Sequence, residues 1–146
     1  MDTLNTCKET VNHLVATKIL GWEFNSEEGC YYEVECGAKS RVMEKHDWNP
    51  IANMSQAWKV IEHFTEKGYT YSVAGITADM VEFLELEMVK AGDTICRFYK
   101  DTESFFVIDS HEAVESTPME AICVAGIQLA RGEVSHEHED RNNEQR

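Results

Sequence analysis

Four consecutive residues, Thr117-Pro118-Met119-Glu120, combine three helix-starting signals: a hydroxyl cap, a proline at the first helical position and a glutamate placed to close a capping box. Behind them Met119, Ile122, Cys123, Gly126, Ile127 and Ala130 recur on one helical face. A helix that begins so firmly and carries such a stripe must bury it against other elements, so the chain upstream has to supply a covering layer. Gly132 reads as the stop of this helix. From Glu133 onward the residues are charged and poor in apolar side chains, which predicts a disordered tail over 133–146.

Two more helices follow from the same periodicity. Leu4, Cys7, Val11, Leu14, Val15 and Ile19 recur every three or four residues and end at Gly21. Asn53 and Gln56 are spaced as a capping box, after which Met54, Ala57, Trp58, Ile61 and Phe64 share a face until Gly68, with Trp58 expected in the core. An acidic stretch from Thr77 to Gly92 stays open between two forms. Met80, Leu84 and Met88 are spaced for a helix behind a Thr77 cap, whereas Val81 to Met88 also alternates as a strand would.

The strand signals are shorter. Gly29 and Gly37 bracket a run in which Tyr31, Glu33 and Glu35 would face one way and Tyr32 and Val34 the other. Tyr69, Tyr71 and Val73 alternate with Thr70, Ser72 and Ala74 up to Gly75. Ile95 to Tyr99 and Phe105 to Ile108 read as a hairpin turning at Lys100-Asp101-Thr102-Glu103. Ala38 to Pro50 is expected to be a loop, because its apolar residues are irregular and Pro50 keeps Asn49 from helical geometry. The sum is an α/β chain of α+β type: one domain over 1–132, with a small antiparallel or mixed sheet between helical layers.

Charge narrows the partners. Twenty-seven acidic against thirteen basic residues give a formal charge of −14 in 146 residues, which repels nucleic-acid backbones and anionic membranes. DNA, RNA and membrane partners are therefore not expected. No leader-like or membrane-spanning stretch is evident, so a cytoplasmic location is expected. The five cysteines, Cys7, Cys30, Cys36, Cys96 and Cys123, form no paired motif and read as reduced thiols.

Catalytic signatures are missing. No GxSxG, HExxH, GxGxxG or GxxxxGK[ST] pattern occurs, no metal ligand set is spaced for binding in the body of the chain, and no cofactor is expected. The remaining candidates cluster before the second helix: Arg41, Lys45, His46, Trp48 and Asn49. A loop tryptophan stacks on a base while an amide and cations hold its polar edges and phosphates, which is how proteins capture nucleotides without turnover. The competing reading has Trp48 packed beneath the second helix and Asn49-Pro50 shaping only the turn.

Leu14-Val15-Ala16 to Leu20-Gly21-Trp22, then Trp48-Asn49-Pro50 before Ala57-Trp58-Lys59-Val60-Ile61-Glu62, then Thr117-Pro118 with Ala121-Ile122-Cys123, resemble the phage ABA sandwich domain. The resemblance runs from about Leu4 to Ala130. The acidic segment from Thr77 to Gly92 departs from it as an insertion, and the charged tail departs as well. The resemblance implies a layered fold and a phage accessory setting, with no catalytic residues to carry over. It leads to the expectation of a non-catalytic, homo-oligomeric protein that sequesters a nucleotide-type host immune signal, a cyclic dinucleotide or a cyclic ADP-ribose isomer. The alternative is an acidic inhibitor that binds a host defence protein through Glu82 to Glu87, and an enzyme degrading such signals is a third option.

Overall fold

The computed structural model describes the backbone of residues 10–83, 89–101 and 107–144, and side chains outside 101–110 and 133–144. Helix α1 is helical over 10–14 and widens into a π turn, Val15–Ile19. Its wide turns close through the Leu20 N–H on Val15 O at 3.1 Å and the Trp22 N–H on Ala16 O at 2.9 Å, and the chain leaves at Gly21. Leu4 and Cys7 lie outside the described residues.

Sheet A follows: β1 (Glu23–Asn25), β2 (Cys30–Glu35) and β3 (Ala38–Glu44), paired antiparallel in that order. Strand β3 corrects the expectation of a loop from Ala38 to Pro50; only the part after a 3-10 turn, Lys45–Asp47, is irregular. The turn that makes it a hairpin is Cys36-Gly37. Glu35 pairs with Ala38, and both intervening residues have positive φ, 51° and 82°, as a two-residue type I′ turn demands. The register shifts between Tyr31 and Tyr32, which face Met43 and Arg41, so Val42 is the extra residue of a bulge. The bulge breaks the expected alternation, and Cys30 and Tyr31 are both buried.

Helix α2 (Met54–Glu66) starts where Asn53 Oδ1 accepts the Gln56 N–H at 3.1 Å, as its sequence predicts. Strand β4 (Thr70–Gly75), helix α3 (Ala78–Phe83), strands β5 (Thr94–Asp101) and β6 (Val107–Glu115), and helix α4 (Pro118–Glu144) complete the order. Sheet B is antiparallel in the order β4-β5-β6. The α+β class is as expected, but the strands divide between two three-stranded sheets. Residues 78–83 are helical, with Thr77 Oγ1 accepting the Met80 N–H at 3.2 Å. Leu84 and Met88, like Thr102, Glu103 and Phe105 of the expected hairpin turn, lie outside the described residues. Lys100 and Asp101 belong to β5 rather than to the turn.

Helix α4 is capped as predicted, Thr117 Oγ1 accepting the Glu120 N–H at 3.2 Å. It does not stop at Gly132. With no proline behind it to force a break, the backbone stays helical to Glu144. A Cβ on Gly132 would lie 2.8 Å from His111 Cε1, so this glycine admits the ring of β6 instead of ending a helix.

The core forms where α4 packs on β5 and β6, α1 and α2 pack on α4, and β1 meets α1. Gly126 is the point of closest approach: a Cβ there would meet Val60 Cγ1 at 2.6 Å and Ile19 Cδ1 at 2.9 Å. Phe64 of α2 and Phe98 of β5, both fully buried, lie 5.1 Å apart between ring centroids. Burying side chains of this size contributes about 1.5–3 kcal/mol each. Burial also pushes the Cys96 and Cys123 thiols up to about 12, so both are neutral parts of the core. Among the described residues, no helix is long and apolar enough to cross a membrane.

Candidate functional site

Helix α1, the turn before β2, the 3-10 turn and the first turn of α4 surround a cleft of about 680 Å³. Its deep wall is aromatic. Trp48 is only 3% exposed, its ring 4.7 Å from that of Trp22, and Trp22 lies 6.0 Å from Tyr31. Phe24 continues the cluster 5.2 Å from Tyr31. The Trp48 indole N–H donates to the Asn12 carbonyl at 2.7 Å. Trp48 therefore lines the cleft as part of the core and does not project as a stacking platform.

Two polar residues fix the loop that carries Trp48. Asn12 donates from Nδ2 to Asn49 Oδ1 at 2.9 Å and accepts the Ile51 N–H at Oδ1 at 3.3 Å. Gln56 accepts the Asn49 N–H at 2.6 Å and donates to Asp47 O at 2.7 Å. The capping-box glutamine thus reaches past the cap to the loop. With Oδ1 of Asn49 engaged, the group it offers a ligand is its Nδ2 donor.

The predicted cluster is brought together in part. Lys45, His46, Trp48 and Asn49 line the cleft. Arg41 does not; it sits on β3 opposite Tyr32 and pairs with Glu44 at 3.0 Å. Lys45 stands with Nζ 5.4 Å from the Phe24 ring centroid. Sequence reasoning missed Asn12, Tyr31 and Glu120, which come from three separate elements. Tyr31 shares a 3.0 Å hydrogen bond with His13 Nδ1, and burial holds its phenol above the ordinary range, so it stays protonated. Trp58, expected in the core, is 40% exposed and meets Tyr71 edge-on at 5.6 Å. The expected face holds in part: Ala57, Ile61 and Phe64 are buried, with Val60 beside them, whereas Met54 and Trp58 lie at its open margin.

The cleft can supply an ammonium from Lys45, an imidazole from His46, amide and phenol donors, and one carboxylate from Glu120. It is within the usual range of small-molecule pockets. Among the described residues its lining holds no serine, threonine or cysteine, the side-chain nucleophiles most used in covalent catalysis. At its rim Glu44, His46 and Asp47 bring three donor atoms within 4.8 Å. These groups are exposed or half-buried and already paired, His46 Nε2 lying 3.1 Å from Glu44 and 3.5 Å from Asp47.

Residues 13–127 match the family model of the phage ABA sandwich domain. No curated protein and no solved structure matches the chain.

Proposed function

Because the chain belongs to the phage ABA sandwich domain family, we propose that it is a phage accessory protein that captures a small nucleotide-type molecule, a host immune signal, without turning it over in the host cytoplasm. The observation that carries this reading is the cleft: cation, imidazole and amide donors from Lys45, His46 and Asn49 over a fixed aromatic wall. Such a lining meets phosphate oxygens and a base or sugar edge, and a pocket set by Asn12 and Gln56 before ligand arrives loses little freedom on binding. The Lys45 ammonium opposes the chain's negative field locally, within the Debye length of about 8–10 Å.

The test is calorimetry with cyclic dinucleotides and cyclic ADP-ribose isomers, followed by heat denaturation and mass analysis of the released ligand. Intact ligand is expected. Weakening by about tenfold or more in Lys45→Ala and Asn49→Ala, with unchanged circular dichroism, places it in the cleft. Absence of binding across the panel overturns the reading, and a changed ligand mass makes the protein an enzyme.

A second reading, a direct inhibitor of a host protein, is favoured by one observation. None of the residues of α3 is buried, and its Asp79, Glu82 and 86% exposed Phe83 form an acidic surface with an apolar anchor. A pull-down from bacterial lysate at low and high salt distinguishes it, since a charge-driven partner is released by salt.

A further inference from the structure

Among the described residues each sheet ends in two edge strands, and three of the four carry charges. Strand β1 has Glu23, β3 has Lys39, Arg41 and Glu44, and β6 has Asp109, Glu112 and Glu115. Strand β4 has none. Its six residues, Thr70-Tyr71-Ser72-Val73-Ala74-Gly75, contain no charge, no proline and no register shift against β5, and all but Val73 are exposed. Proteins guard edge strands with charges, prolines or bulges because an open edge accepts another strand. Beside this unguarded edge lie Trp58 and Tyr71, in contact with each other and both more than a third exposed.

We infer that β4 is a self-association edge: two copies pair β4 with β4 antiparallel across a twofold axis, giving a continuous six-stranded sheet with Trp58 and Tyr71 flanking the seam. Charge selects this occupant. A chain at −14 repels its own copy over most of its surface, and an uncharged strip is where two copies meet with least repulsion. β4 of a second copy adds no charge to that strip, so the pairing brings no like charges together there. Pairing a strand with itself antiparallel is what a twofold axis does. The contact stands independently of what the cleft holds.

The test is sedimentation velocity of the full chain over a concentration series at low and high salt. A dimer is expected, tightening as salt screens the like charges; a basic partner on an acidic surface would show the opposite trend. Ser72→Lys with Ala74→Lys should weaken it by about tenfold or more, because the new charges meet across the axis. Ser72→Thr with Ala74→Thr should leave it intact. Wild-type chain that stays monomeric at every concentration and salt, or a lysine variant that dimerises as the wild type does, overturns the inference. Should the lysine variant lose its circular dichroism, hydrogen exchange on the wild type decides: protection of β4 amides that rises with protein concentration supports the edge, and protection that does not change overturns it.

Discussion

Trp48 and Trp58 stand ten positions apart in the chain, and their surroundings are opposite. Trp48 sits in an irregular loop and is enclosed, its ring against Trp22 and its N–H on the Asn12 carbonyl; Trp58 sits on a regular helix and is open to solvent at 40%. The difference lies in what reaches each residue from elsewhere. Around Trp48, α1, β2 and α4 converge, so an irregular backbone is held by long-range contacts. Around Trp58, β4 is the last strand of its sheet among the described residues, and the indole meets Tyr71 edge-on. Regular secondary structure is thus no guide to how firmly a side chain is held.

Trp48→Ala breaks the enclosed region and is the largest expected effect. It should cost about 3–5 kcal/mol, the usual loss for a large buried aromatic, read as a lower melting temperature and denaturant midpoint. A loss below about 1 kcal/mol, the scale of an exposed site, would remove the distinction between the two tryptophans.

Alkali comes second. Cys96 and Cys123 have ordinary values of 9.0 raised to about 12 by burial. Between those values the unfolded chain has released protons that the folded chain retains, so stability is complete below pH 9 and falls as pH rises from 9 toward 12. In a Trp58→Phe variant, emission from Trp22 and Trp48 should shift to the red only with this transition. A shift beginning well below pH 9 would show that the enclosed region opens by itself.

Asn12→Ala sharpens the comparison without removing an aromatic. It deletes both side-chain hydrogen bonds to the loop, at a cost of about 1–2 kcal/mol. It should also weaken ligand capture while calorimetry on Gln56→Ala reports the other half of the clamp. The smallest effect belongs to Trp58→Ala, within about 1 kcal/mol at concentrations where the chain is monomeric. Its consequence should appear instead as weaker self-association in sedimentation.

What the residue pattern revealed was local. The caps of α2 and α4 are visible because Asn53 with Gln56, and Thr117 with Glu120, act across three residues of backbone. The strands β2, β4 and β5 and the start of β6, Val107 and Ile108, are visible because their apolar residues cluster between turn residues, whereas β6 beyond Ile108 was not expected. Strand β3 was not, since Lys39, Arg41 and Glu44 give it no buried face to advertise and the left-handed turn position is held by Cys36, not by the usual asparagine or glycine. The candidate site was legible only along its own loop. Lys45, His46, Trp48 and Asn49 are neighbours in sequence, whereas Tyr31, Asn12 and Glu120 arrive through tertiary packing that no spacing rule contains. Periodicity likewise placed Trp58 on a face of α2 but could not say that the sheet ends beneath it.

The Asn12 clamp also has a bearing on how the protein is made. Its contacts with Trp48, Asn49 and Ile51 span 36 to 39 residues, so closing them carries a loop entropy that the capped helices never meet. A nascent chain halted before Ile51 cannot form the clamp, and the walls of the cleft are complete only after Glu120 has been synthesised. The proposed capture would consequently be a property of the finished fold: binding competence should appear in refolding after helical signal does, and early fragments released from the ribosome would compete for no ligand.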